Sequence, residues 1–200
     1  MSQTAVTPES VRPFKFNLRD IKLTDEQFMR LCQENPEFRL ELTAAGELII
    51  MPPAGSKSSW RSGRSYYALT NWADQDGSGL TFDSSAGFTL PNGAKRSPDV
   101  SWIKQERWNA LTTQQQEEFA PLCPDFVIEV RSPSDRLSDL QDKMQEYLDN
   151  GARLGWLIDP LEKRVHIYRL NQPVELLDDP PSVWGDPVLP GFVLSVRELW

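Results

Sequence analysis

The sequence predicts an α/β fold in which a mixed central β-sheet is flanked by helices. Short β-branched runs alternate along the chain with stretches of helical period. One run, Phe126-Val127-Ile128-Glu129-Val130, is apolar except for a single acid, the pattern of a central strand covered on both faces. The 200 residues, 39% of them hydrophobic, are enough for a conventional core, since a chain of this length removes roughly 70% of its unfolded surface from water.

Taken in order, the polar stretch 1–13 reads as a flexible tail, and residues 14–200 as one domain. Thr24-Asp25-Glu26-Gln27 has the form of a capping box and starts a helix that ends before Pro36. Phe38–Leu42 alternates with period two, turns at Ala44-Ala45-Gly46, and returns as a strand over Glu47–Met51, stopped by Pro52-Pro53. A longer helix spans 56–74, with Trp60, Tyr67, Leu69 and Trp72 assigned to its core face. Strands follow near 80–83, 87–90 and 98–103, with Pro91-Asn92-Gly93 as a turn and a short helix at 112–119. After the Phe126–Val130 strand, Ser132-Pro133-Ser134 opens a helix that closes at Asn150-Gly151. A hairpin around Pro160-Leu161-Glu162-Lys163 pairs Leu157-Ile158 with Val165–Tyr168, and alternation turns His166 outward.

Composition removes several classes of function. With 21 basic and 29 acidic side chains, the net charge is −8, which disfavours a histone-like protein or a polybasic membrane binder. Cys32 and Cys123 match no metal-ligand spacing, and one histidine is too few for a His/Cys zinc site. Neither a G-x-S-x-G elbow nor a Gly-rich phosphate loop occurs. The longest clean apolar run is far short of the ~20 residues of a membrane span, so a cytoplasmic protein is expected.

Chemistry concentrates in two acids. Burying Glu129 within its strand costs several kcal/mol unless it is paired, hydrogen-bonded or metal-bound. It reads either as half of a buried salt bridge or as a carboxylate gripping a hard cation such as Mg²⁺. Asp99, in Ser97-Pro98-Asp99-Val100, enters a strand from a stiff proline, and reads either as a turn cap or as a second ligand.

The two acids belong to a longer set of matches. Glu41-Leu42 with Gly46-Glu47-Leu48-Ile49-Ile50-Met51-Pro52-Pro53 is followed by Ser97-Pro98-Asp99-Val100-Ser101-Trp102. Pro124–Ser134, Lys143-Met144-x-x-Tyr147 and Gly155-Trp156-Leu157-Ile158-Asp159-Pro160 complete the series. Five motifs in this order resemble the PD-(D/E)XK nuclease superfamily and, within it, the Uma-two-type restriction endonucleases. The resemblance runs from about Phe38 to the C-terminus. It implies a restriction-endonuclease-like core and Mg²⁺-dependent hydrolysis of DNA phosphodiesters, with Mn²⁺ as a substitute and a homodimer as the assembly. Asp99 and Glu129 would hold the metal, which polarises the phosphoryl group and lowers the pKa of the attacking water. Glu41 matches a recurrent acid of the family, and reads equally as a solvated strand position.

The superfamily's lysine usually stands two residues after the strand acid, where this chain has Arg131, a side chain that stays protonated. Lys143 on the following helix is the expected substitute, with desolvation lowering its pKa enough for base chemistry. Arg131 is left to clamp a phosphate or pair with Glu129. For DNA, the candidate contacts are Lys57, Arg61 and Arg64, spaced i, i+4, i+7, together with Lys95 and Arg96; a solvated helix face fits the first three as well. Two alternatives stand beside the nuclease. The first is an inactive nuclease fold serving as an interaction module. The second is a glycosidase using Asp99 and Glu129, which leaves Lys143 and the Pro-Asp motif unexplained.

Overall fold

The computed structural model describes residues 13–21, 23–51 and 53–200, so residues 1–12 of the expected tail lie outside it. The chain runs β1 (Phe14–Asn17), α1 (Asp25–Glu34), β2 (Arg39–Leu42), β3 (Glu47–Met51), α2 (Ser56–Asp76), β4 (Gly79–Asp83), β5 (Phe88–Thr89) and β6 (Lys95–Arg96). It continues as β7 (Val100–Lys104), α3 (Gln105–Asn109), α4 (Thr113–Glu117), β8 (Phe126–Val130), α5 (Leu137–Asp149), β9 (Leu154–Asp159) and β10 (Arg164–Arg169). The hairpin strands β11 (Glu175–Asp178), β12 (Ser182–Trp184) and β13 (Val193–Ser195) precede a 3-10 turn at Arg197–Leu199. The α/β expectation therefore holds, with a mixed central sheet and flanking helices.

Two sheets matter for the site. The larger has the order β11-β10-β9-β8-β7-β4, and its one parallel pair, β8 with β9, is the pair joined by α5. That β8-α5-β9 crossover follows from the need to carry the chain back to the same sheet edge before a parallel strand can pair. The smaller sheet, β1-β3-β2-β6-β5, is antiparallel, and its β2 carries Glu41.

Strand alternation sorts the larger sheet into two faces. Val100, Trp102, Phe126, Ile128, Val130, Trp156 and Ile158 pack on one side with Leu69 and Ala73 of α2 and with Phe192 and Leu194 from the C-terminal segment. Ile103, Val127 and Leu157 point to the other side, against Met144, Tyr147 and Leu148 of α5. Glu129 has the parity of Val127, so its carboxyl is delivered to the α5 side. Gly155 of β9 is part of this fit: a Cβ there would run into the Met144 methyl, so the bare backbone lets α5 lie close.

Local signals account for most element ends. Thr24 and Gln27 form the reciprocal capping box that starts α1, and Thr112 with Gln115 forms another at α4. Gly77, at φ 70°, ends α2 in the left-handed conformation. In three places the sequence misleads. α5 begins at Leu137, not at Ser132-Pro133, because residues 132–135 fold into a turn in which the Asp135 carboxylate accepts from the Ser132 amide at 2.8 Å and hydroxyl at 2.6 Å. Trp60 and Tyr67, assigned to the core face of α2, are 48% and 62% exposed, while Arg61 turns inward and donates to the Leu199 carbonyl at 2.6 Å. His166 is buried, since β10 lies between β9 and β11 and both its faces are covered.

Candidate active site

β2, the loop into β7, the end of β8 and the inner face of α5 meet at one place. Each contributes one of the expected residues. Alternation on β2 turns Glu41 inward, where it is 2% exposed; it is not the solvated position the pattern also allowed. Asp99 sits immediately before β7, and its Oδ2 accepts the Val130 backbone N–H at 2.9 Å, which ties the entry of β7 to the end of β8. Glu129 comes from β8 and Lys143 from the second turn of α5.

Lys143 Nζ is the centre of the cluster. It lies 2.7 Å from Glu129 Oε1 and 2.9 Å from Glu41 Oε1. The Tyr147 hydroxyl, one turn further along α5, donates to the same Glu129 oxygen at 3.0 Å. Glu41 is held from its other side, with Arg96 Nη1 at 3.0 Å from Oε2 and the Ser97 amide at 3.1 Å from Oε1. Arg96 also donates to Glu146 of α5, Nε to Oε2 at 2.6 Å. Arg39, two residues before Glu41 on β2, stands 3.5 Å from Asp99 Oδ1.

The two buried glutamates respond oppositely to this arrangement. Burial pushes both up. At Glu41 the charges of Lys143, Arg96 and Arg39 overcome it, and the carboxyl falls to about 2. At Glu129 burial wins over Lys143, and Asp99 and Glu41 add repulsion, so the carboxyl rises to about 7. Because they share Lys143, the two titrate as a coupled unit. Lys143 itself corrects the sequence expectation. Burial does oppose its charge, but Glu129 and Glu41 more than restore it and the ammonium is held above its ordinary pKa. Between these two carboxylates it is a charged partner.

The remaining candidates scatter. Arg131 does not reach Glu129; its Nη1 lies 2.7 Å from Asp159 Oδ2, a carboxylate wholly buried at the end of β9. The Arg131 amide also donates to the Ile158 carbonyl, so this residue fastens β8 to β9 beyond the last ladder pair. Lys95 is buried and pairs with Asp25 at 2.7 Å, and Arg96 is spent on Glu41 and Glu146, so neither is laid out on the surface. Of the α2 cations, Lys57 and Arg64 are exposed, with Arg64 3.1 Å from Glu198.

Arg39, Tyr147 and Glu146 are site neighbours to which the sequence assigned no role, and Arg96, expected as a DNA contact, joins them as a partner of Glu41. Two of them left a signal. Arg39 shares the inward parity of Glu41, and Tyr147 stands one helical turn from Lys143.

A divalent cation can be tested against these groups. Among the described residues no cluster of three or more His, Cys, Asp or Glu side chains is arranged to enclose a metal. Mg²⁺, however, commonly binds through one or two carboxylates and keeps several waters. At Glu129 both protein donors converge on Oε1, leaving Oε2, and at Asp99 the amide takes Oδ2, leaving Oδ1 with only the Arg39 contact at 3.5 Å. Two hard oxygens, one on a carboxyl made reluctant to ionise by burial and by the charge of Asp99, the other on Asp99 itself, fit a Mg²⁺-like ion.

Comparison with known proteins agrees with the fold. No curated protein matches the chain. Among solved structures, a protein of Anabaena variabilis ATCC 29413 described as a "putative nuclease belonging to DUF820" superposes with a TM-score of 0.73 at 24% identity, over 89% of this chain and 97% of that one. The model of the Uma2 family, described as "Putative restriction endonuclease", matches residues 25–197. The match takes in Glu41, Asp99, Glu129 and Lys143 together, and the chain belongs to the Uma2 family.

Proposed function

We propose that the chain is a metal-dependent endonuclease that hydrolyses DNA phosphodiester bonds. The observation that carries this reading is the buried Glu129–Lys143 pair with the partly exposed Asp99 tied to the end of the same strand, and a carboxylate oxygen left over on each acid. The family description supports a nuclease, and the superfamily resemblance supplies the metal.

In this reading Asp99 and Glu129 hold Mg²⁺, with Mn²⁺ able to substitute; the ion supplies Lewis-acid polarisation of the phosphoryl oxygen and a more acidic water. Lys143 stays an ammonium throughout. Its place between Glu41 and Glu129 puts fixed positive charge where negative charge develops, with little reorganisation during reaction. Glu41 orients that ammonium, and Arg96 with the Ser97 amide keeps Glu41 ionised. Tyr147 fixes the rotamer of Glu129 by donating to Oε1. Arg131 acts through the β8–β9 join and the buried Asp159, not on the substrate. Residues 14–200 would work as a single nuclease-like domain, in the cytoplasm, as a homodimer. Lys57 and Arg64 are the exposed α2 cations available to DNA phosphates.

One observation favours a second reading, an inactive nuclease fold used for interaction. Lys143 is already paired with two carboxylates, and among the described residues of the cluster only Asp99 and Glu129 keep a free oxygen. Nicking of supercoiled plasmid separates the two. The enzyme nicks in Mg²⁺ or Mn²⁺, stops in EDTA, and loses at least about a hundredfold in rate as Asp99→Asn, the scale of removing one preorganised electrostatic group. A wild-type chain inert in both metals supports the interaction module.

A further inference from the structure

The cations around the site differ in how much of their hydrogen-bonding capacity is already used. Lys143 is bound by Glu41 and Glu129, Arg96 by Glu41 and Glu146, and Arg131 by Asp159. Arg39 is different. Its Nη1 stands 3.5 Å from Asp99 Oδ1, too long for a good hydrogen bond, and among the described residues its Nη2 meets only the Met51 sulfur, also at 3.5 Å. A third of its side chain is exposed, against 9% for Lys143 and 7% for Arg96.

Its position follows from β2. Arg39 and Glu41 are two residues apart on one strand, so they share a face, about 6.5 Å apart along it. Glu41 reaches the sealed end of the cluster; Arg39 occupies the end open to solvent, beside Asp99. Burial opposes its charge, and Asp99, Glu41 and Glu129 more than offset that, so the guanidinium remains firmly ionised. A planar fork of five N–H donors, charged and half-desolvated, is thus held at the mouth with its donors nearly unspent. Such a fork matches the two non-bridging oxygens of a phosphodiester.

We propose that Arg39 is the substrate clamp of the site, binding the non-bridging oxygens of a DNA backbone phosphate presented to Asp99 and Glu129. This rests on the nuclease reading above and adds to it the residue that receives the substrate. A bound phosphate would draw Arg39 off Asp99, which frees Oδ1 of that carboxylate as the substrate arrives.

The test compares wild type, Arg39→Lys and Arg39→Gln by plasmid nicking in Mg²⁺ and by anisotropy of a labelled mixed-sequence duplex in EDTA across a salt series. For Arg39→Gln, we expect KM to rise about tenfold or more with kcat within threefold. The slope of log binding constant against log salt should fall by about 0.9, the signature of one lost phosphate contact. Arg39→Lys, which keeps charge but not the fork, should fall between. An Arg39→Gln chain with unchanged KM and slope overturns the clamp while the nuclease reading stands. A fall in kcat and in Mn²⁺ affinity at constant KM also overturns it, because Arg39 would then act only by placing Asp99. A wild type that neither binds nor nicks overturns both.

Discussion

The two faces of the six-stranded sheet are built to different rules. On the α2 side, Leu69, Phe126, Trp156 and Phe192 form a continuous apolar layer in which Trp156 stacks on Phe192 at 5.5 Å and meets Phe126 edge-on at 4.8 Å. On the α5 side the same strands pack Val127 and Leu157 against Met144 and Leu148, and then, one pleat further, bury Glu129 beneath Lys143 and Tyr147. The first face is held by area and shape. The second is held partly by a charge network that is stable only when every member is present. A fold that needed stability alone would have had no reason to differ between its faces, since a well-packed apolar group commonly does as well as a buried ion pair.

The largest effect is expected from Lys143→Met. It leaves Glu41 and Glu129 buried without their common partner, a loss of about 3–5 kcal/mol in denaturant unfolding, together with loss of metal-dependent nicking. Adding Glu41→Gln should recover part of the stability and none of the cleavage. Trp156→Ala on the opposite face should also cost about 3–5 kcal/mol through its cavity, but with no change in the pH dependence of what stability remains.

That pH dependence distinguishes the faces directly. In the metal-free protein Glu129 keeps its proton up to about pH 7, while unfolded it releases it near 4.5. Between those values the folded chain binds more protons, so stability falls as pH rises through the window, by up to about 3 kcal/mol at about 1.36 kcal/mol per unit. Glu41 has the opposite sign: its contribution is present above 4.5 and is lost as pH falls towards 2. Glu129→Gln should remove the fall between pH 4.5 and 7, which thermal unfolding across that range will show. The smallest effect is expected at the surface, where Arg64→Ala gives up the exposed pair with Glu198 and an exposed contact over the Tyr67 ring and should change stability by about 1 kcal/mol or less.

Sequence pattern carried unequal weight in these two faces. The apolar runs named five of the six strands of the large sheet and the helix that covers it, and the single acid in Phe126–Val130 identified Glu129 before any contact was known. Hairpin-edge strands such as β11 and β12 were not legible, being short and without strong alternation. The core face of α2 was misassigned for a physical reason: aromatic size suggested burial for Trp60 and Tyr67, whereas the facing C-terminal segment, distant in sequence, takes Arg61 instead. The same kind of long-range contact hid the role of Arg96, read as a DNA contact, whose partner Glu41 is 55 residues away. It also gave Lys143 its charge, since no local pattern reveals that two carboxylates from separate strands will enclose it.

The central claim is that Asp99 and Glu129 converge on one divalent cation. Calorimetric titration of Mn²⁺ into wild type, Asp99→Ala and Glu129→Gln tests it most directly, with circular dichroism verifying that each chain is folded. One site is expected in wild type, and no measurable binding heat in either variant. Binding of Mn²⁺ by both folded variants as strongly as by wild type would contradict it.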